Sequence, residues 1–195
     1  MAVVNQDRTY SKAYGTAEFE TGKKMTTDSL FCTCSTTKAF TATALSRVID
    51  EDQKAGGSLD WRTPIASLLG DDFALADHYS THNTTLEDAL SHRSGLPGHI
   101  CAMMFASTKE TLRQVVRKLR YLPLAYAPRT SFDYCNHMYM VVSHVLERIT
   151  GEDLGSLLNR LFWKPLGMND THFSVQKILR SPSIRSRMVQ GKKKR

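Results

Sequence analysis

The spacing of apolar positions changes near residue 35. Before it, Val3-Val4 and the stretch from Tyr10 to Ala17 are short apolar or aromatic runs on either side of the polar Asn5-Gln6-Asp7-Arg8. That pattern predicts two strands joined by a hairpin, and Glu20-Thr21-Gly22-Lys23 marks a second turn. After residue 35 the spacing becomes three and four. Phe40, Ala44, Leu45 and Val48 predict a helix from about Ser35 to the polar Asp50-Glu51-Asp52-Gln53, with Gly56-Gly57 as its breaker.

Further along, Pro64 predicts the start of a short helix over the apolar run Ile65 to Leu69. Thr85-Leu86-Glu87-Asp88 has the spacing of a capping box, with aspartate in the glutamate position, ahead of a short helix through Leu90. Lys109 to Leu119 reads as an amphipathic helix with Leu112, Val115, Val116 and Leu119 on one face. Pro123 and Pro128 bracket an irregular segment. Two more helices carry Met140, Val141, Val145, Leu146 and Ile149 up to Gly151, then Leu154, Leu157, Leu158, Leu161 and Phe162 up to Pro165. The expectation is an α+β chain, mostly helical, with strands only at the front.

Composition narrows the class. The 195 residues are 41% hydrophobic and 23% charged, which excludes wholesale disorder and fits one domain or part of a larger one. No apolar run approaches the ~20 residues of a membrane helix. The opening MAVVNQDRTYSKAYG lacks a basic stretch followed by an apolar one, so a cytoplasmic location is the expectation. Cys32, Cys34, Cys101 and Cys135 form neither a zinc ligand set nor a disulfide framework. No H-E-x-x-H pair occurs among the histidines, and no metal or cofactor is expected.

The formal net charge of +7 is unevenly spread. Gln176 to Arg195 contains eight basic residues and no acidic one; without it, 18 basic residues face 19 acidic ones. The chain is therefore read as a nearly neutral body, 1–175, and a basic, disordered tail, 176–195. A basic run this short, with no reader motif beside it, does not make nucleic acid the expected partner.

Two motifs can carry chemistry. In Ser35-Thr36-Thr37-Lys38, residues one helical turn apart share a face, so the amine can reach the hydroxyl. A lysine desolvated in an apolar pocket can then serve as base for a serine nucleophile. With 17 serines and 12 lysines, about one S-x-x-K arises by chance, and Ser174-Val175-Gln176-Lys177 is read as that accident. In Tyr134-Cys135-Asn136, a tyrosine beside a cationic lysine can shuttle the serine's proton, and the asparagine can hold the lysine or a substrate carbonyl. The plainer alternatives are a helix cap with an exposed lysine, and a core tyrosine with a turn asparagine. His92 is read as a structural residue of its loop and Cys135 as a packed small side chain.

The order of these motifs resembles the serine β-lactamase-related family, which includes class C β-lactamases, D-alanyl-D-alanine carboxypeptidases, esterases and some fungal acyltransferases. Gly15-Thr16-Ala17-Glu18-Phe19-Glu20-Thr21-Gly22, Asp28-Ser29-Leu30-Phe31 and Ser35 to Ala42 resemble its front. Leu90 to Pro97 is similar to its L-x-H-x-S-G-L-P loop. Phe132-Asp133-Tyr134-Cys135-Asn136 is similar to its F-x-Y-S-N motif with cysteine for serine, and Pro165 to Phe173 to its P-L-G-M-x-x-T-x-F signature.

The resemblance implies a partial β-lactamase/transpeptidase-like fold: the helical part with front strands of an antiparallel sheet. It implies Ser35 as the acyl-accepting nucleophile, Lys38 and Tyr134 sharing general-base work, and Asn136 orienting substrate or Lys38. The partner would be a small-molecule acyl substrate: an ester, amide or lactam, hydrolysed or transferred without a cofactor. Family members run to roughly twice this length. The third motif, a Lys- or His-x-Gly on a strand that supplies one oxyanion-hole N–H, does not follow Phe173. A truncated, catalytically inactive family member is the alternative expectation.

Overall fold

The structure is a computed structural model that describes residues 1–100, 110–175 and 178. Cys101, Lys109, Lys177 and nearly all of the stretch 176–195 lie outside the described residues. The backbone divides into two compact units, one comprising residues 1–34 and 167–195, the other residues 35–166.

In the first unit, β1 (Ala2–Asn5) and β2 (Arg8–Ser11) form an antiparallel hairpin in which Val3 faces Tyr10. Gln6 and Asp7 make the turn, Gln6 with φ of 53°. β3 (Thr16–Glu18) pairs antiparallel with β4 (Lys23–Lys24). The run Tyr10 to Ala17, read from the sequence as one apolar stretch, is thus divided between two hairpins. Gly15 lies in the left-handed region at φ 85°, which interrupts the extended backbone, and its carbonyl accepts the Met25 N–H at 3.0 Å.

The second unit is helical. α1 (Thr37–Lys54) buries Thr41, Ala44, Leu45, Val48 and Ile49, the three-and-four spacing seen in the sequence. α2 (Ile65–Leu69) follows Pro64 at its N-cap. α3 (His78–Asn83) is a polar helix that apolar spacing did not signal; Asp77 caps it by accepting the Ser80 N–H at 2.8 Å. α4 (Leu86–Leu90) has the expected capping box: Thr85 Oγ1 accepts the Asp88 N–H, and Asp88 accepts the Thr85 N–H at 3.0 Å.

α5 (Leu112–Lys118) opens with a second box, Thr111 and Gln114, and buries Val116. α6 (Asn136–Thr150) is the hub, against which α1, α2, α4, α5 and α7 (Leu154–Leu158) all pack. Its buried stripe is Met138, Val141, Val142, Val145 and Leu146. Ile149, assigned from the sequence to the apolar face, is instead 41% exposed. The helix expected over Leu154–Phe162 stays α-helical only to Leu158, then widens into a π-helical turn, Asn159–Trp163. The wider turn buries Trp163, whose ring meets Phe40 edge-on with centroids 6.0 Å apart. No helix among the described residues is long and apolar enough to cross a membrane.

This packing fixes the N-termini of α1 and α6, which carry the two sequence motifs. Leu45, Leu86, Leu96, Met138 and Leu146 are at most 1% exposed between the helices. Each such burial contributes roughly 1.5–3 kcal/mol, so the motifs stand on a well-packed core.

Candidate active site

Ser35 sits in the 3-10 turn Cys34–Thr36 that leads into α1, and Lys38 lies in the first turn of the helix. Lys38 Nζ donates to Ser35 Oγ at 3.2 Å. The cap position belongs to Thr36, which makes no side-chain cap hydrogen bond. Ser35 is therefore an exposed hydroxyl beside a helix start rather than a cap.

Tyr134 and Asn136 arrive from the other motif. Asn136 is the first residue of α6, and Tyr134 lies two residues earlier, in the entry to the helix. The Tyr134 hydroxyl donates to Ser35 Oγ at 2.7 Å, and Lys38 Nζ donates to Asn136 Oδ1 at 2.6 Å. Lys38 Nζ also stands 4.7 Å from the Tyr134 ring centroid and 5.2 Å from that of Tyr139. All four residues singled out from the sequence meet at one point, although 98 residues separate Lys38 from Asn136.

One detail differs from expectation. Lys38 is half-buried between two ring faces and two polar oxygens, not sealed in an apolar pocket. Tyr134 is 42% exposed, whereas its neighbour Cys135 is fully buried. The hydrogen bonds from Lys38 and to Ser35, with the lysine's charge, draw the Tyr134 phenol below the usual tyrosine range. Burial pushes the Cys135 thiol up, away from the reactive thiolate.

The loop after α4 supports the tyrosine. His92 is buried in the left-handed region at φ 60°, its carbonyl accepts the Asp133 N–H at 3.0 Å, and its Nδ1 accepts the Cys135 N–H at 3.1 Å. The Gly95 carbonyl accepts the Ala125 N–H at 3.0 Å. Below the loop, Arg129 grips the Asp88 carboxylate through Nε and Nη2 at 2.9–3.1 Å. Tyr139, Asp88 and Arg129 were not among the sequence candidates. The capping box already pointed to Asp88, but nothing local announces its partner 41 residues away.

These buried groups predict an acid limit to stability. Burial, helped by nearby positive charge, holds His92 and His137 below the ordinary imidazole value of 6.5. Below that value the unfolded chain binds protons that the folded chain refuses, so the stabilisation is complete above about pH 6.5 and is lost as pH falls. Asp72 and Asp88 follow at lower pH. Burial alone would raise them, but Arg113, His144 and Arg117 around Asp72, and Arg129 and Thr85 around Asp88, draw both below 3.8. Urea midpoints measured from pH 8 to pH 4 are expected to fall steadily below about pH 6.5. A flat profile from 7.5 to 5 would show that neither histidine is buried neutral.

A family model described as Beta-lactamase matches residues 1–190. An unguisins hydrolase from Aspergillus violaceofuscus is 42% identical over 178 residues, covering 90% of this chain and 31% of the relative. Esterase EstB from Burkholderia gladioli is 30% identical over 176 residues, 84% of this chain and 43% of the esterase. The structure of a D-amino acid amidase from Ochrobactrum anthropi SV3, complexed with L-phenylalanine amide, superposes with a TM-score of 0.71 at 26% identity, covering 88% of this chain and 46% of that one. The chain thus spans about a third of the fungal hydrolase and less than half of the other two.

Proposed function

Since the chain belongs to the beta-lactamase family, we propose that it is a serine hydrolase or acyltransferase that forms an acyl-enzyme on Ser35. The observation that carries this reading is the pair of contacts on one oxygen: Ser35 Oγ lies 2.7 Å from the Tyr134 hydroxyl and 3.2 Å from Lys38 Nζ. A serine hydroxyl needs a proton acceptor to attack a carbonyl, and a phenolate held beside an ammonium supplies one.

In the proposed step, Ser35 Oγ attacks the acyl carbon while its proton passes to the ionised Tyr134 oxygen. The tetrahedral adduct collapses to the acyl-enzyme, and Tyr134 returns the proton to the leaving alcohol or amine. Water or another nucleophile then takes the acyl group by the reverse proton route. Asn136 holds Lys38 in place through its 2.6 Å hydrogen bond. The positive end of the α1 helix dipole favours the negative charge that develops on the carbonyl oxygen. Relatives named for esters, for amides and for unguisins support a small ester or amide as substrate, with a lactam open to the same chemistry.

Intact mass after incubation with an aryl fluorophosphonate, followed by peptide mapping, tests the reading. A stoichiometric adduct on Ser35 is expected. Absence of the adduct on folded chain would leave the alternative, a catalytically inactive member of the family.

A further inference from the structure

We propose that His92 is a positioning residue for the reaction: through Nδ1 and its ring face it fixes Tyr134 so that the phenol oxygen rests on Ser35. The proposal depends on the reading of Tyr134 as the base for Ser35. His92 grips the chain on both sides of that tyrosine. Its carbonyl takes the Asp133 N–H at 3.0 Å, and its Nδ1 takes the Cys135 N–H at 3.1 Å. Alternate N–H groups of an extended segment point the same way, and Cys135 is extended at φ −124°, ψ 109°. One residue therefore supplies both acceptors, and residue 134 is pinned between them.

The ring completes the grip. The His92 and Tyr134 centroids lie 4.5 Å apart at 40°. Tyr139 at 5.3 Å and Phe132 at 5.6 Å, nearly edge-on, close two further sides. These separations are those of favourable aromatic packing. His92 reaches this place only by adopting φ 60°, which a side-chain-bearing residue holds when its surroundings over-determine it. Its hydrogen bond runs to Cys135 rather than to Ser35, so it acts through the tyrosine.

An Nδ1 that accepts an N–H carries no proton, which leaves the ring hydrogen on Nε2. The titratable groups facing the imidazole are Lys38 from α1, Tyr134 and Cys135 from the segment before α6, and Tyr139 from α6. Burial and the Lys38 charge both oppose protonation. Protonating Nδ1 would set one N–H against another and release the segment that carries Tyr134.

Two variants separate positioning from mere support. His92→Asn keeps an acceptor near the place of Nδ1 and tolerates the left-handed backbone. His92→Ala removes acceptor and ring and leaves the Cys135 N–H unpaired. The readout is the full chain labelled with tyrosine carrying 13C at Cζ, with the Tyr134 signal assigned by its loss in Tyr134→Phe. In the unaltered chain and in His92→Asn, Tyr134 is expected to ionise below the other tyrosines. In His92→Ala it is expected to return to the ordinary range, with Ser35 labelling by the fluorophosphonate slowed about 10- to 100-fold.

A histidine that only supports the fold would lower the melting temperature and leave the Tyr134 titration of the folded fraction unmoved; that result overturns the proposal. Should His92→Ala not fold, the unaltered chain decides through 15N spectra of its imidazoles. An unprotonated Nδ1, and a Tyr134 signal that shifts as His92 takes up its proton, support the proposal. A hydrogen on Nδ1, or a Tyr134 signal silent through that titration, overturns it. If Tyr134 ionises together with the other tyrosines, the base assignment fails by itself, and the same acid titration still decides the His92 contact.

Discussion

Lys38→Met is expected to slow acylation of Ser35 by about 10³-fold, within the range for loss of general-base catalysis, and Ser35→Ala to abolish it. Methionine keeps the unbranched length of the side chain and removes its charge. Three interactions go with that charge: the donation to Ser35 Oγ, the 2.6 Å bond to Asn136 and the pull on the Tyr134 phenol. Without the ammonium, Tyr134 returns toward an ordinary tyrosine, and at neutral pH little phenolate is left to take the serine's proton. The alkaline end of the rate profile should gain, because hydroxide can still generate the phenolate.

The fold should not register this change. Lys38 is half-buried in the first turn of α1, outside the buried stripe that runs from Thr41 to Ile49. Fluorophosphonate labelling rates between pH 6 and pH 10, with a thermal melt of each variant, check the prediction. Labelling of Lys38→Met at the unaltered rate would remove the lysine and the tyrosine from the mechanism together.

The second large effect is on stability. Gly95→Ala is expected to destabilise the helical unit by about 2–5 kcal/mol, combining a left-handed conformation with an overpacked contact. Gly95 has φ 82°, and a Cβ there would overlap the Tyr126 carbonyl oxygen. That oxygen is backbone and cannot swing aside, because the Ala125 N–H and the Tyr126 N–H both bond the Gly95 carbonyl. The loop must therefore move as a whole, and it carries His92 and the contacts to residues 133–135. Gly56→Ala isolates the conformational part: φ is 86° there, and a Cβ would meet nothing within 4 Å, so about 1–2 kcal/mol is expected. Chemical denaturation of both variants provides the comparison, and equal losses would show that the clash at residue 95 relaxes without cost.

Much of this protein was legible in local spacing. The helix at 37–54, the capping box at Thr85-Asp88 and the stop at Gly151 depend on neighbours within one turn, and such neighbours are visible in one dimension. The identities of Ser35, Lys38, Tyr134 and Asn136 were legible for a related reason: each motif needs particular side chains at a fixed short offset. Their meeting was implied by the family resemblance, not by the residues themselves.

Other features depend on distances that a one-dimensional pattern does not contain. The polar helix His78–Asn83 forms without an apolar stripe of its own, and the π-helical turn at Asn159 sets Trp163 against Phe40. The 10–17 run divides where Gly15 leaves the extended region, a choice between two backbone wells open to any glycine. The same limit separates the residues from their roles. Sequence by itself singled out the side chains proposed for acyl chemistry and marked where the helices that carry them begin. Folding decided the rest: Lys38 lies between two tyrosine faces, the Tyr134 ring rests on a buried histidine, and Asp88 is matched by an arginine 41 residues on. The reason is that hydrogen bonds and ring contacts act over a few ångströms of space, and only the packing of α1, α4 and α6 converts a hundred residues of chain into that distance.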